Sequence, residues 1–251
     1  MSDLKALIFD VDGTLADTER DGHRVAFNRA FKDAGLNWDW TVDVYGELLA
    51  VTGGKERMRY YLEHYGVSPP EVDDLSEYIA DLHKSKTRHY TQLLGEGKIP
   101  LRPGIESLLK EARKDGIRMA IATTTTPENV TALLENTLGK ESIGWFEEIA
   151  AGDIVPAKKP APDIYTWVLE KMGLSPDEVI AFEDSENGYI SARDANINKV
   201  VVTVNDYTAS HDFTGATIVL DQMGGVNNPA TVISGVELNA PFADLSFIKS
   251  L

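Results

Sequence analysis

Five short, nearly continuous apolar runs constrain this chain more than any other feature: Ala6 to Phe9, Met119 to Ala122, Val179 to Phe182, Val200 to Val204 and Ile218 to Leu220. A strand with one wet face alternates apolar and polar residues, so runs without alternation belong to strands covered on both sides, as in a parallel sheet. Helical patterns lie between them. In IESLLKEARKDG, Ile105, Leu108, Leu109 and Ala112 share one face and Gly116 stops the helix. Beyond the second run, Thr126 can cap a helix with Pro127 at its first position, and Val130, Leu133 and Leu134 form its apolar stripe. Strand and helix in alternation predict an α/β fold, a doubly wound, Rossmann-like parallel sheet.

The stretch from 19 to about 95 breaks that alternation, with helical patterns and no strand. Helices are expected over 20–34, 42–50, 55–65 and 71–94, with the turn VSPPE before the last. Residues 17–96 therefore read as an inserted α-helical cap domain, and 1–16 with 97–251 as the α/β core domain. The chain returns to the core near GEGKIPLRPG, which is rich in Gly and Pro.

Charge narrows the partners. Forty acidic residues against 24 basic ones give a net charge of -16, which argues against nucleic acid or an anionic membrane surface. An anionic small molecule remains possible if cations gather locally. The absence of cysteine excludes disulfides, thiolate nucleophiles and sulfur-ligated metals. No window approaches the roughly 18 consecutive apolar residues that a membrane span needs. The expectation is a soluble, cytoplasmic monomer with no membrane or nucleic-acid partner. Trp38, Trp40, Trp145 and Trp167 are assigned to packing.

Ligands of doubly wound sheets sit at the carboxyl ends of the strands. There the first run ends in Asp10 and Asp12, the second in Thr123, Thr124 and Thr125, and another in Glu183 and Asp184. A short run over 148–151 precedes Lys158 and Lys159 in GDIVPAKKPAPD. Crowded carboxylates raise one another's pKa unless a cation joins them. Mg²⁺ suits such a site, because it takes oxygen ligands and shares them with phosphate. Asp10, at the strand end, is placed to attack phosphorus and form an aspartyl phosphate. Asp12 can protonate the leaving oxygen and then deprotonate water, and Gly13 allows close backbone approach. Thr123 and a lysine supply donors for the phosphoryl oxygens, with Thr124 as a substrate contact. Lys159 is preferred to Lys158 because Pro160 restricts it to extended geometry. Singly, DxDGT is also a good turn and a lysine pair is usually solvated. It is their order along successive strands that makes them one site.

In the helical region, TGGKERMRYY sets Gly53 and Gly54 before Lys55 and Arg57, a loop and helix start able to hold an anion. Arg59 reads as a solvated helix residue. His23 and Glu19, near the first linker, are candidates to reach the same site.

FDVDGT, Thr123 in AIATTTT, Lys159 in KKPAPD and Glu183 with Asp184 in AFEDSENG together resemble the four motifs of the haloacid dehalogenase superfamily of phosphotransferases. The helical insertion resembles its members with a C1-type cap. Within that group, GHRVAFNRAF followed by YGELLAVTGGKERMRYYLEHYG resembles the CbbY-type enzymes. The resemblance implies a Mg²⁺-dependent phosphatase for a small sugar phosphate, xylulose 1,5-bisphosphate, an inhibitory by-product of Rubisco. It implies Asp10 as nucleophile, Asp12 as acid and base, and Mg²⁺ on Asp10, the Asp12 carbonyl and Asp184, with Glu183 on or beside the ion. It also places Gly53, Gly54, Lys55 and Arg57 on the sugar's second phosphate. A mutase of the β-phosphoglucomutase kind shares the first steps. A binding protein that keeps only the fold would have lost a site position, and none is lost.

Overall fold

The apolar runs form the strands β1 (Ala6–Phe9), β2 (Arg118–Thr123), β3 (Glu148–Ala151), β4 (Val179–Glu183), β5 (Val200–Thr203) and β6 (Ile218–Leu220). A seventh, β7 (Val232–Gly235), completes one sheet in the order β3-β2-β1-β4-β5-β6-β7. The structure, a computed structural model, describes residues 3–251; Met1 and Ser2, at the head of the expected core segment, lie outside the described residues. All neighbours pair in parallel except β6 and β7. The antiparallel β7 departs from the expected all-parallel sheet. It is exposed along its whole length, so it carries no buried run by which to be recognised.

Side-chain alternation along β1 explains why its run is continuous. Leu7 and Phe9 pack on one face with Leu108 and Leu109 of α5 (Ile105–Lys114) and Val130 and Leu133 of α6 (Pro127–Leu138). Ala6 and Ile8 pack on the other with Ile164 and Val168 of α7 (Asp163–Met172) and Ala192 of α8 (Glu186–Asp194). Both faces are dry, as the runs require.

The region between β1 and β2 is helical. It holds α1 (Arg24–Asp33), α2 (Val42–Leu48), α3 (Gly54–His64) and α4 (Leu75–Gly95), around a separate cluster of Phe27, Phe31, Trp38, Trp40, Tyr45 and Met58. Trp38 and Trp40 pack there, and Trp145 and Trp167 lie at the edges of the two sheet clusters. The last of these helices starts four residues later than expected. Asp74 caps it, accepting from the amides of Ser76 and Glu77, which fixes the first turn beyond the acidic stretch. The first starts with a single π turn, Glu19–His23, in which the His23 amide bonds Thr18 O. The two crossings lie side by side, Ala16 bridging to Leu101.

Register then levels the site. Phe9 pairs with Phe182 and Ile121, so Asp10 comes level with Glu183 and Ala122 at one sheet edge. Gly13, just past the strand, has φ +84, and a Cβ there would lie 2.1 Å from Asp184 Oδ2. Only glycine suits that approach.

Candidate active site

Asp10, Thr123, Lys159, Glu183 and Asp184 are all buried and meet at this edge, as the strand-end reading predicts. Lys159 Nζ donates to Asp10 Oδ1 at 2.8 Å, to Glu183 Oε1 at 2.6 Å and to Ala122 O at 2.9 Å. Of the two neighbouring lysines, Lys159 is the one on the site; Lys158 pairs instead with Glu56 and Asp153. Burial alone would lower the Lys159 ammonium, but the charges of Asp10 and Glu183 outweigh it and raise its pKa.

The carboxylates carry more negative charge than one lysine balances. Burial raises Asp10, with Lys159 opposing, and pushes Glu183 up to about 7. Asp184 is driven well above its usual range by burial, then by the charges of Asp10 and Glu183. One oxygen from each of these three residues lies within 4.8 Å of the others, and Glu183 Oε2 has no hydrogen-bond partner among the described residues. An all-oxygen donor set with excess negative charge fits a hard divalent cation. Asn205, whose Nδ2 donates to Asp184 Oδ2 at 2.8 Å, helps fix the third carboxylate.

Asp12 sits in a different environment. Its Oδ1 accepts from Thr18 Oγ1 at 2.6 Å and lies 2.7 Å from His23 Nε2, while Lys86 Nζ lies 2.7 Å from His23 Nδ1. An ammonium only donates, so Lys86 leaves the His23 proton on Nε2, directed at Asp12. Burial opposes the Asp12 charge, but His23 and Thr18 hold its carboxyl below the usual range. Burial in turn brings Lys86 down to about 8.

Two cavities open at this edge. The larger, about 290 Å³, is lined by Asp10, Asp12, Thr123, Lys159 and Asp184 together with Asn187, Tyr207, Thr208 and His211. The smaller, about 50 Å³, is lined by Gly54, His23, Lys86 and the start of α6 at Thr126 and Asn129. Asp12, Glu19, Gly53, Arg57 and Thr124 line both. Arg57 is anchored through Nε to Leu48 O at 3.1 Å and through Nη1 to the Tyr45 hydroxyl at 2.9 Å, and Tyr45 in turn donates to Glu19.

One expected substrate contact is not brought in. Lys55 lines neither cavity, and its ammonium pairs with Asp153 in the loop after β3. It points outward from the helix start whose other side holds Arg57, two residues on.

Sequence reasoning missed Lys86, Asn205, Tyr207 and His211. Lys86 left a signal: Ile79, Leu82, Tyr90 and Leu93 form an apolar stripe spaced 3, 8 and 3, and Lys86 occupies its middle. A lysine on the buried face of a helix needs a partner. The loop residues after β5 left none, because only the fold brings them under the strand ends.

The haloacid dehalogenase-like hydrolase family model matches residues 4–196. The CbbY protein of Rhodobacter capsulatus is 49% identical over 85% of this chain and 91% of its own, and the plasmid CbbY protein of Cupriavidus necator is 46% identical over 90% and 88%. A crystal structure of a mutant CbbY from Rhodobacter sphaeroides, in complex with xylulose-(1,5)bisphosphate, superposes with a TM-score of 0.82. It is 43% identical and covers 89% of this chain and 98% of that one. No helix among the described residues is long and apolar enough to cross a membrane. By its strand-end groups, its topology and these matches, the chain belongs to the haloacid dehalogenase-like hydrolase family and groups within it with the CbbY proteins.

Proposed function

We propose that this protein is a phosphatase that removes one phosphate from a small sugar bisphosphate through an aspartyl-phosphate intermediate, with xylulose 1,5-bisphosphate as its substrate. One observation carries the reading: the Asp10 carboxylate, held on Lys159, lines a cavity that adjoins a second one, where Arg57 and Lys86 stand with Asp12 and Glu19 at the starts of two helices. The second cavity takes in Arg57, Lys86 and the unadorned starts of two helices, α3 and α6, whose N-cap residues make no side-chain cap bond. Such helix starts and cations suit the phosphate that does not react. The CbbY neighbour solved with xylulose-(1,5)bisphosphate supports the choice of substrate.

Asp10 attacks phosphorus and the bond from phosphorus to the sugar oxygen breaks. A proton from Asp12 goes to that oxygen. Water then attacks the aspartyl phosphate, Asp12 takes its proton, and phosphate leaves with Asp10 restored. Before substrate enters, the His23 and Thr18 bonds keep Asp12 ionised, which suits the second step. For the first, the negative charge of an entering phosphate raises Asp12 towards protonation. Thr123 and Lys159 steady the phosphoryl oxygens, with Thr124 beside them. Asp10, Asp184 and the Asp12 carbonyl would hold Mg²⁺, with Glu183 on or beside it, and the ion supplies positive charge to the transferring group. Gly53, Gly54 and Arg57 hold the second phosphate, while Glu19 and His23 face the sugar side.

Residues 17–96 act as the cap that closes over the site, and the protein works as a monomer. Release of inorganic phosphate from xylulose 1,5-bisphosphate, with β-glucose 1-phosphate as the mutase control, tests the reading. Free phosphate from the first and no glucose 6-phosphate from the second is expected. A mutase product without free phosphate overturns it.

A further inference from the structure

An ammonium has three N–H groups, and those of Lys159 are all in use, on Asp10 Oδ1, Ala122 O and Glu183 Oε1. No donor is left for an incoming phosphoryl oxygen, so one bond must be given up. Releasing Asp10 would free the attacking carboxylate before it is aimed. Releasing Ala122 O would strand a buried carbonyl at the sheet edge. Asp10 also takes a bond from Thr123, but it must stay aimed for attack; Glu183 makes no attack, and its acceptor oxygen has a second donor. Tyr165 of α7 donates its hydroxyl to the same Oε1 at 2.5 Å. Tyr165 is 0% exposed, and its ring lies against Lys159, with Nζ 5.3 Å from the centroid.

We propose that Tyr165 is a positioning residue, which keeps Glu183 hydrogen-bonded while Lys159 passes its third N–H from Glu183 to the phosphoryl group. Without it, Glu183 would be a buried carboxylate whose only donor is the lysine, and the lysine would be tied in place. The other oxygen, Oε2, gives no help. It is unpartnered and crowded by α8, where a Cβ on Gly188 would lie 1.8 Å away. Burial and the Glu183 charge hold the Tyr165 hydroxyl well above its ordinary pKa, so it stays a donor at any working pH. The inference rests on the phosphatase reading for what enters, but the exchange of donors needs only a phosphate.

Tyr165→Phe removes one oxygen from the interior. For the bisphosphate, kcat is expected to fall about 10- to 100-fold with KM within about threefold, since the second phosphate supplies most of the anchoring and the lost donor serves the reacting one. In a Glu183→Gln background the same change is expected to cost less than about twofold, because the two residues act as a unit. Equal losses in the two backgrounds, or a loss confined to KM, overturns the proposal. Inorganic phosphate titrated by calorimetry into chelator-treated protein reads the exchange without turnover, and so stands even if the native enzyme hydrolyses no bisphosphate. The phenylalanine variant is expected to bind phosphate several-fold more weakly, and unchanged affinity overturns the proposal. Should Tyr165→Phe fail to fold, Glu183→Gln alone decides. An amide holds Lys159 less firmly than a carboxylate, so tighter phosphate binding than native supports the proposal and equal or weaker binding refutes it.

Discussion

At the sheet edge, the side chains of Lys159, Asp10 and Glu183 are 5%, 10% and 1% exposed, and every proton of the lysine is spent on a fixed acceptor. At the seam between the helical region and the core, Lys55, Glu56, Lys158 and Asp153 also form linked ion pairs, but Glu56 is 40% and Asp153 58% exposed. The first group is almost wholly buried and so little screened by salt, and breaking one pair there leaves a buried charge uncompensated. In the second the lysines are 28% and 17% exposed and the carboxylates more so, and pairs open to solvent in this way contribute about 0–1 kcal/mol each. The contrast matches two tasks. A transferring phosphoryl group needs charges that do not reorganise. A cap that opens and closes, as proposed for residues 17–96, needs contacts weak enough to part.

The contrast breaks most sharply at Asp10. Asp10→Asn is expected to cost roughly ten-thousandfold or more in kcat by phosphate-release assay, as loss of a covalent nucleophile does, while circular dichroism stays native. Undiminished turnover would refute the role of Asp10. Arg57→Ala comes next, expected to raise KM for a sugar bisphosphate about 10- to 100-fold and to change that for a monophosphate far less, because a remote phosphate supplies anchoring energy. Equal effects on the two substrates would remove Arg57 from the second phosphate.

Lys86 lies between the two regions in character, buried yet held near pH 8 by desolvation. Its folded pKa lies below the ordinary 10.5, so between about pH 8 and 10.5 the unfolded chain binds the proton that the folded chain has lost. Its contribution therefore makes stability rise with pH across that window, a rise that Lys86→Met is expected to abolish in denaturant titrations. Activity should follow the opposite limb. Above about pH 8 Lys86 no longer steadies His23 against Asp12, and kcat is expected to decline there in the native enzyme. A native limb unchanged in Lys86→Met would assign it to another group.

The smallest effect is expected at the seam. Asp153→Asn should raise KM by about two- to threefold and flatten the dependence of KM on salt, since exposed pairs are screened. A tenfold loss of kcat would mean that the seam reaches into the chemistry.

Much of the site was legible because a parallel sheet converts sequence position into spatial position. An apolar run followed by a polar residue names a strand end, and Asp10, Thr123 and Glu183 come to one edge by register alone. Lys159 could be chosen over Lys158 from its place before Pro160, and the two lysines do part, one to the site and one to the seam. Lys55 and Arg57 were less separable. Both follow the same glycine pair, and the facing of α3 decides between them, sending one side chain into the cavities and the other to Asp153. β7 was illegible because an exposed edge strand buries no run.

The sequence by itself determined the layered α/β architecture, the helical insertion and the acids, hydroxyl and lysine at the strand ends, since all of these follow from local periodicity and from groups next to it. Tertiary structure alone decided the partners at long range: Lys86 on His23, Tyr165 on Glu183, Asn205 on Asp184 and Lys55 on Asp153. Each joins residues at least 18 positions apart, on elements whose approach is set by how the helices pack. No local pattern encodes that packing, and only burial shows which charged side chains must find one another.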